Sequence, residues 1–294
     1  RMSDGYAWIG EITGGINTLL PTKFKFASMI VRQVSMGPTH YFVIDDKNAL
    51  WGCGANTSGQ ISSEFGKTVN KWTSVSIEKH QFVNVSCGKE HTSAVTTTGE
   101  LYAWGAGQSV TLIQRDMKVT RSFSGNGITL FLEEDGKLYA FGPRLSPFGL
   151  VTKRISEDVS LGTQLIVPVH VDNVVDVRIG ATTISFLTED GKVYTSGTNQ
   201  DGSQLGRASD DKTPQNIGLK DITALRTGQQ HTGALDANGL LWIWGRTSNN
   251  MGARSTNLNT PKKFTSDEAI VDFDFSNNSL IVLHENGLVS ATKV

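Results

Sequence analysis

The stretch Phe82-Val83-Asn84-Val85-Ser86-Cys87-Gly88-Lys89-Glu90-His91-Thr92-Ser93-Ala94-Val95-Thr96-Thr97-Thr98-Gly99-Glu100-Leu101-Tyr102-Ala103-Trp104-Gly105 carries glycines at 88, 99 and 105, eleven and then six residues apart. The same frame returns as Gly37, Asn48, Gly54; as Gly125, Gly136, Gly142; as Gly180, Gly191, Gly197; as Gly228, Gly239, Gly245; and, decayed, as Ser276, Gly287, Lys293. Self-similarity at a fixed spacing marks a repeat architecture, so the repeat decides the fold before any single residue does. Six and three residues before the first glycines stand Val31 and Val34, Phe82 and Val85, Val119 and Ser122, Val174 and Val177, Ile222 and Leu225, Ile270 and Phe273. That is the pattern of a short, mostly buried strand. A second apolar strand follows, as in Thr92 to Val95, Thr129 to Leu132 and Thr232 to Leu235. It ends in a turn such as Asp135-Gly136, Asp190-Gly191 or Asn238-Gly239, which supplies the positive φ of a tight hairpin. A third strand is aromatic: Leu101-Tyr102-Ala103-Trp104, Leu138-Tyr139-Ala140-Phe141, Leu241-Trp242-Ile243-Trp244. Each repeat therefore holds three antiparallel strands and a looser fourth.

Successive first-glycine positions lie 51, 37, 55, 48 and 48 residues apart, close to the roughly 40 to 50 residues of a four-stranded propeller blade. No window has the period of a long amphipathic helix. The prediction is an all-β propeller forming a single domain over residues 1–294, with six blades favoured and a reduced seventh allowed. Gly5-Tyr6-Ala7-Trp8-Ile9-Gly10 reads as a third strand and Pro21-Thr22-Lys23-Phe24 as a fourth. Residues 271–292 supply first, second and third strands, so that both termini share the blade that closes the ring. Trp8 fits two registers one residue apart, and such a slip exchanges buried and exposed faces.

A formal net charge of −1 and a pI near 6.7 leave no electrostatic case for general nucleic-acid binding. Two cysteines, Cys53 and Cys87, sit at unrelated repeat positions, which argues against a disulfide framework and for a reducing cytoplasm. No apolar run reaches membrane-spanning length, and the start lacks a basic-then-apolar signal. Arg1 ahead of Met2 reads as a cloning remnant, and the C-terminus has no C-a-a-X box. A cytoplasmic monomer is expected.

The strand followed by Gly-x-x-His-Thr, then Asp-Gly-x-x-Tyr-x-Trp-Gly-x-Asn-x-x-Gly-Gln-Leu-Gly, resembles the repeat of the regulator of chromosome condensation (RCC1) family. Here it stands as Cys87-Gly88-Lys89-Glu90-His91-Thr92 with Leu101-Tyr102-Ala103-Trp104-Gly105, and as Gly228-Gln229-Gln230-His231-Thr232 with Trp242-Ile243-Trp244-Gly245. Its tail survives in Gly54-Ala55-Asn56-Thr57-Ser58-Gly59-Gln60 and, with one inserted residue, in Gly197 to Gly206. The resemblance implies an RCC1-like propeller that binds a small Ras-like GTPase and promotes nucleotide exchange, Ran being the first guess and Rab, Rap and Rho the others. The alternative is a non-catalytic interaction scaffold, since such propellers also dock proteins, lipids or chromatin. The compact form resembles RCC1-like effectors that bacterial pathogens deliver to a host cytosol.

Contact residues are expected where the loops between first and second strands gather, at Lys89, Glu90, Asn126, Gln229, Gln230, His231, Asn277 and Asn278. Arg178 and Arg226, two before their glycines, would add positive charge. By the resemblance, His231 is the exchange residue, in the catalytic role. The same family has an important aspartate after a Gly-Asn, and here that position is Gly127, which speaks for the scaffold.

The connections from third-strand glycine to next first strand measure 28, 14, 32, 25 and 25 residues. The longest, Pro143 to Asn173, carries Arg144, Lys153, Arg154, Glu157 and Asp158 among Pro147, Phe148 and Leu150. It resembles the wedge with which the family's exchange factor presses on its GTPase; otherwise it is a solvated outer loop.

His40, His91 and His231 all stand three after a first glycine. A metal needs three or four ligands converging at about 2.0 Å, whereas one histidine per blade keeps them apart. They read as hydrogen-bonded structural histidines, and neither metal nor cofactor is expected. Glu133, Glu134, Asp135, Glu189 and Asp190 sit at hairpin turns and do not make the spaced pair of a glycosidase. Trp104 and Trp244 read as core between blades. Lys71, Trp72, Lys79 and His80 form a candidate contact patch. No nucleophile constellation or phosphate-cradling glycine loop is present, so no covalent chemistry is expected.

Overall fold

The chain is described by a computed structural model over residues 7–9, 22–24, 30–114, 116–151, 165–199, 204–228, 230–246, 258–276 and 279–293. These fall into two compact units, one ending at Gly127 and one beginning at Ile128. The first opens with β1 (Ala7–Ile9) and β2 (Thr22–Phe24), paired antiparallel with Trp8 opposite Lys23. Its first full sheet is β3 (Val31–Met36), β4 (His40–Asp45), β5 (Leu50–Ala55) and β6 (Thr68–Val75). Its second is β7 (Phe82–Cys87), β8 (His91–Thr96), β9 (Leu101–Gly105) and β10 (Gln108–Gln114), and β11 (Val119–Ser124) ends the unit.

The second unit holds β12 (Thr129–Glu133), β13 (Leu138–Phe141) and β14 (Val167–Val169). It continues with β15 (Val174–Ile179), β16 (Thr183–Thr188), β17 (Val193–Gly197) and β18 (Gln215–Asn216). Then come β19 (Ile222–Thr227), β20 (His231–Asp236), β21 (Leu241–Gly245) and β22 (Leu258–Lys263), and finally β23 (Ile270–Ser276), β24 (Ser279–His284) and β25 (Val289–Lys293). Besides the β1–β2 pair, the strand orders give six antiparallel sheets of three or four strands in up-and-down succession, matching the number and make-up expected of six blades. The described residues contain no helix long and apolar enough to cross a membrane.

Alternation along each strand puts apolar side chains on faces that meet the neighbouring sheet. One core joins Phe42, Ile44, Leu50 and Ile61 of the first repeat to Phe82, Val85, Tyr102 and Trp104 of the second. Another joins Leu187 and Val193 to Leu225 and Trp244, and a third joins Leu241 and Ile243 to Phe273 and Val282. Both tryptophans are core as expected, at 1% and 0% exposure. A bulge recurs one residue into the first strands, at Arg32, Val83, Val175, Thr223 and Val271, where two residues face one on the second strand.

The hairpin turns are fixed by a side-chain staple with its own rule of spacing. Asp45 Oδ1 accepts the N–H groups of Lys47 and Ala49 while its Oδ2 accepts Trp51 Nε1–H at 2.9 Å. Asp236 does the same for Asn238, Leu240 and, at 3.1 Å, Trp242. Where the aromatic is tyrosine, as in the repeats of Tyr102 and Tyr194, a threonine replaces the acid, and Thr96 and Thr188 bond across the same turn. An indole N–H needs an acceptor, which the aspartate supplies in both tryptophan repeats, whereas the tyrosine repeats carry threonine or, at Glu133 before Tyr139, glutamate.

Asp236→Ala leaves three donors without this acceptor at a site 8% exposed. The change should lower the unfolding free energy by about 2 to 4 kcal/mol, read from urea denaturation, with Asp236→Asn losing less.

Candidate functional site

Four of the loops between first and second strands are three-residue caps with one recurring set of backbone bonds. Gly37, Gly88, Gly180 and Gly228 donate their N–H to the carbonyl three residues on, at His40, His91, Thr183 and His231, over 2.8 to 2.9 Å. The residue just after the third strand's glycine closes the other side: Ala55 N–H to Thr39, Ala106 to Glu90, Thr198 to Thr182 and Arg246 to Gln230, at 2.7 to 2.9 Å. That glycine passes so near the cap that an added Cβ at Gly197 would lie 2.2 Å from the Thr182 carbonyl, and its φ is +116°. The caps are thus pinned at both ends. Lys89 and Glu90 stand exposed on one, Gln230 half-buried on another, and Asn126 half-buried in the loop after β11.

Beneath the caps lie the histidines. His40 is fully buried and its Nε2 is 2.9 Å from Thr92 Oγ1, which gives its own proton to the Gln60 carbonyl at 2.7 Å. His40 must therefore carry its hydrogen on Nε2. His231, 6% exposed, departs from the expectation of a hydrogen-bonded histidine: its Nε2 has no partner among the described residues. Leu280 occupies the repeat position of Thr92 and offers no hydroxyl. The ring instead packs edge-on against Phe275 at 4.4 Å. A Cβ on Gly228 would lie 2.2 Å from that Nε2, so the imidazole props the cap from below and does not stand on it. Burial depresses both His40 and His231 from 6.5 to about 4.

Sideways, the first strands of the first unit are tied by neutral side chains. The Gln33 amide donates to the Val85 carbonyl and accepts its N–H, Ser35 accepts Cys87 N–H, Asn84 accepts Ser122 N–H and Ser86 accepts Ser124 N–H, all within 2.7 to 3.1 Å. The same two positions in the second unit carry charge. Arg178 binds Asp176 at 2.9 Å, and Arg226 binds Asp272 at 3.1 Å while stacking 5.9 Å over Phe273. This corrects the expected surplus of positive charge: each arginine has a carboxylate at hand.

Of the connection from Pro143 to Asn173, the part from Pro143 to Leu150 is not a solvated loop. Leu145 and Phe148 are 1% and 0% exposed, the Thr198 hydroxyl donates to the Pro147 carbonyl at 2.8 Å, and Gly149, at φ +73°, runs against the Lys212 carbonyl. In the first repeat the corresponding tail is held differently, the Ile61 carbonyl accepting Trp104 Nε1–H at 3.1 Å, whereas Ser196 stands at the repeat position of that indole. Arg144 lies 5.9 Å over the Phe148 ring. Lys153, Arg154, Glu157, Asp158, Gln229, Asn277 and Asn278 lie outside the described residues. The patch of Lys71, Trp72, Lys79 and His80 divides: Trp72 packs beside Val31, Val43 and Trp51, and His80 bonds to Tyr102. Gly127 has φ +76°, a backbone that suits glycine better than a residue with a side chain. Asp135 and Asp190 pair with Lys137 and Lys192 across their turns. Among the described residues, no three His, Cys, Asp or Glu side chains are placed to hold a metal.

Residues 31–60 and 82–109 match the model of the regulator of chromosome condensation (RCC1) repeat. The chain is 25% identical over 221 residues to the human E3 ubiquitin-protein ligase HERC2, covering 66% of this chain and 4% of that protein. It is 26% identical over 248 residues to the mouse RCC1-like G exchanging factor-like protein, covering 74% of this chain and 53% of that one. It thus spans only part of either relative. Among solved structures it resembles Prp20p from Saccharomyces cerevisiae, described with its binding to Gsp1p and histones, with a TM-score of 0.75 and 19% identity over 92% of this chain and 74% of that one.

The two depressed imidazoles set a pH dependence. Between about pH 4 and 6.5 the unfolded chain binds protons that folded His40 and His231 refuse, so stability is complete above 6.5 and falls as pH drops toward 4. Each site should cost about 2 to 3 kcal/mol by pH 4.5. Urea midpoints should show this fall, and His231→Gln should remove about half of it, leaving the part due to His40.

Proposed function

We propose, from its membership of the RCC1 repeat family, that this chain uses its strand-linking caps to bind a small Ras-like GTPase and promote release of guanine nucleotide. The observation that carries the reading is the pinning of the caps by paired backbone bonds in both units. A surface fixed before binding loses little conformational entropy on association. It can therefore hold one conformation of a partner in preference to another.

Exchange asks for no nucleophile. A factor that binds the nucleotide-free GTPase more tightly than the loaded form must weaken nucleotide binding by the same coupling free energy. Lys89, Glu90 and Gln230 are the side chains offered for direct contact. Asn126, Arg144, Arg178 and Arg226 are second-rank because packing or pairing already engages them. His231 acts through the cap that it supports. Lys153, Arg154, Asp158, Gln229, Asn277 and Asn278 remain part of the proposed contact surface. Ran is the first candidate, supported by the likeness to Prp20p, with Rab, Rap and Rho next.

The second reading is a docking scaffold with no effect on nucleotide. The glycine at 127, where the family's exchange factor has an aspartate, favours it, as does the presence of similar repeats in a ubiquitin ligase.

Release of a fluorescent guanine nucleotide from Ran, Rab, Rap and Rho separates the two. Acceleration of one GTPase by tenfold or more, about 1.4 kcal/mol off the barrier to release, reduced by Lys89→Glu or Gln230→Ala in a folded variant, is the expected result. Binding without acceleration would make the chain a scaffold.

A further inference from the structure

An outer strand leaves a sheet open to another chain, and the sheets of this protein guard that strand. Among the described residues, β6 presents Lys71, β14 is interrupted by Pro168, β18 is two residues long, β22 carries Pro261, Lys262 and Lys263, and β25 ends on Lys293. β10 carries no such guard. Gln108-Ser109-Val110-Thr111-Leu112-Ile113-Gln114 has no charge, proline or glycine, and its centre is rich in side chains that favour strands. It returns from β9 through Ala106-Gly107, at φ 53° and 78°, the two-residue turn of a tight hairpin. No described strand lies beyond it, and Val110 is 38% exposed.

Two bulges bend β10, between Gln108 and Thr111 and between Leu112 and Gln114, and the stretch between them keeps regular pairing. The direction of its backbone groups follows from the hairpin beside it. The Glu100 carbonyl accepts Thr96 N–H at 2.9 Å, so alternation along β9 directs Tyr102 to β8 and Ala103 to β10. Thr111 stands opposite Ala103 and spends its own N–H and C=O there. Val110 and Leu112, one residue to either side, therefore turn theirs away from β9 and out of the sheet. The outer edge offers a pair of bonding residues placed evenly about Thr111.

We propose that the outer edge of β10 pairs antiparallel with β10 of a second copy of this chain, about a two-fold axis at Thr111. In that register Val110 of each chain faces Leu112 of the other, and each such pair exchanges both of its backbone bonds. Threonine meets threonine across the axis, a favoured cross-strand pair, and no charge meets its like. Gln108 and Gln114 flank the contact at its two ends. The strand is complementary to itself when reversed, which is what a two-fold contact asks of a single surface. A formal net charge of −1 gives two copies little long-range repulsion. Pairing uses up the outer edge of both sheets, so assembly stops at two. One strand makes a small interface, and the dimer is a weak one, formed at micromolar concentration and above. The chain then departs from the monomer expected of its sequence, and does so whether or not it acts on a GTPase.

Sedimentation velocity of the full chain, from micromolar to submillimolar concentration, tests the pairing. The mass should rise from one chain to two and no further. Val110→Pro removes an outward N–H without costing a bond to β9 and should leave the urea midpoint nearly unchanged. Because the substitution acts twice in a two-fold contact, association should weaken about tenfold. Thr111→Lys and Thr111→Glu each set like charges on the axis and should weaken it as well, whereas the two variants mixed should associate at least as tightly as the unaltered chain. A chain that stays monomeric throughout, growth beyond two, association indifferent to Val110→Pro or Thr111→Lys, or a mixture of the Thr111 variants that stays monomeric would each overturn the proposal.

Discussion

Everything functional in this chain hangs on how near two backbones come at the first glycine of a repeat. A Cβ at Gly37 would lie 2.7 Å from the Gly88 carbonyl oxygen, and one at Gly88 would lie 2.7 Å from the Gly125 carbonyl oxygen and 2.4 Å from His91. No side chain fits in either gap. The absence of one lets neighbouring sheets in the first unit close on each other and seats an imidazole under its cap. In the second unit Gly228 closes in the same way over His231. The polar rungs from Gln33 to Val85 and from Asn84 to Ser122 then fall within hydrogen-bond range.

From this follows a division of labour between buried and exposed groups. The repeat fixes the caps, so the residues at their tips are free to vary without cost to the fold. Lys89-Glu90 in one repeat and Gln230 in another are such positions. The buried layer varies less freely. His40 and His231 each keep a buried nitrogen with no partner among the described residues, but where Leu280 replaces the hydroxyl that meets His40, His231 lacks that hydrogen bond, a loss that costs stability beside a proposed contact loop. A surface that is rigid and varied in chemistry is suited to binding, and exchange is work done by binding alone.

The fold was legible because its signal is periodic. Glycine spacing, turn dipeptides and aromatic third strands located β3 to β5, β7 to β9 and β19 to β21 nearly to the residue. The site was less legible, since its properties depend on contacts between repeats. Nothing in the local sequence says that Arg226 meets Asp272, forty-six positions away, or that Phe148 is buried. The charged stretch from Pro143 looked like a loop because prolines and phenylalanine replace the Asn and Gln of the usual tail. The Asp–Trp staple lay within reach: Asp45 with Trp51 and Asp236 with Trp242 share one offset, visible once the repeats are set side by side.

The glycine approach is open to a direct test by equilibrium unfolding of Gly88→Ala beside Gly66→Ala. Gly66 has nothing within 4 Å of an added Cβ and no positive φ, so its substitution should change stability by less than about 0.5 kcal/mol. At Gly88 the new methyl meets a backbone carbonyl and a buried ring, and a loss of about 3 kcal/mol or more is predicted. Equal stability of the two variants would contradict the account, because it would mean that the sheets are not held at the separation on which the caps depend.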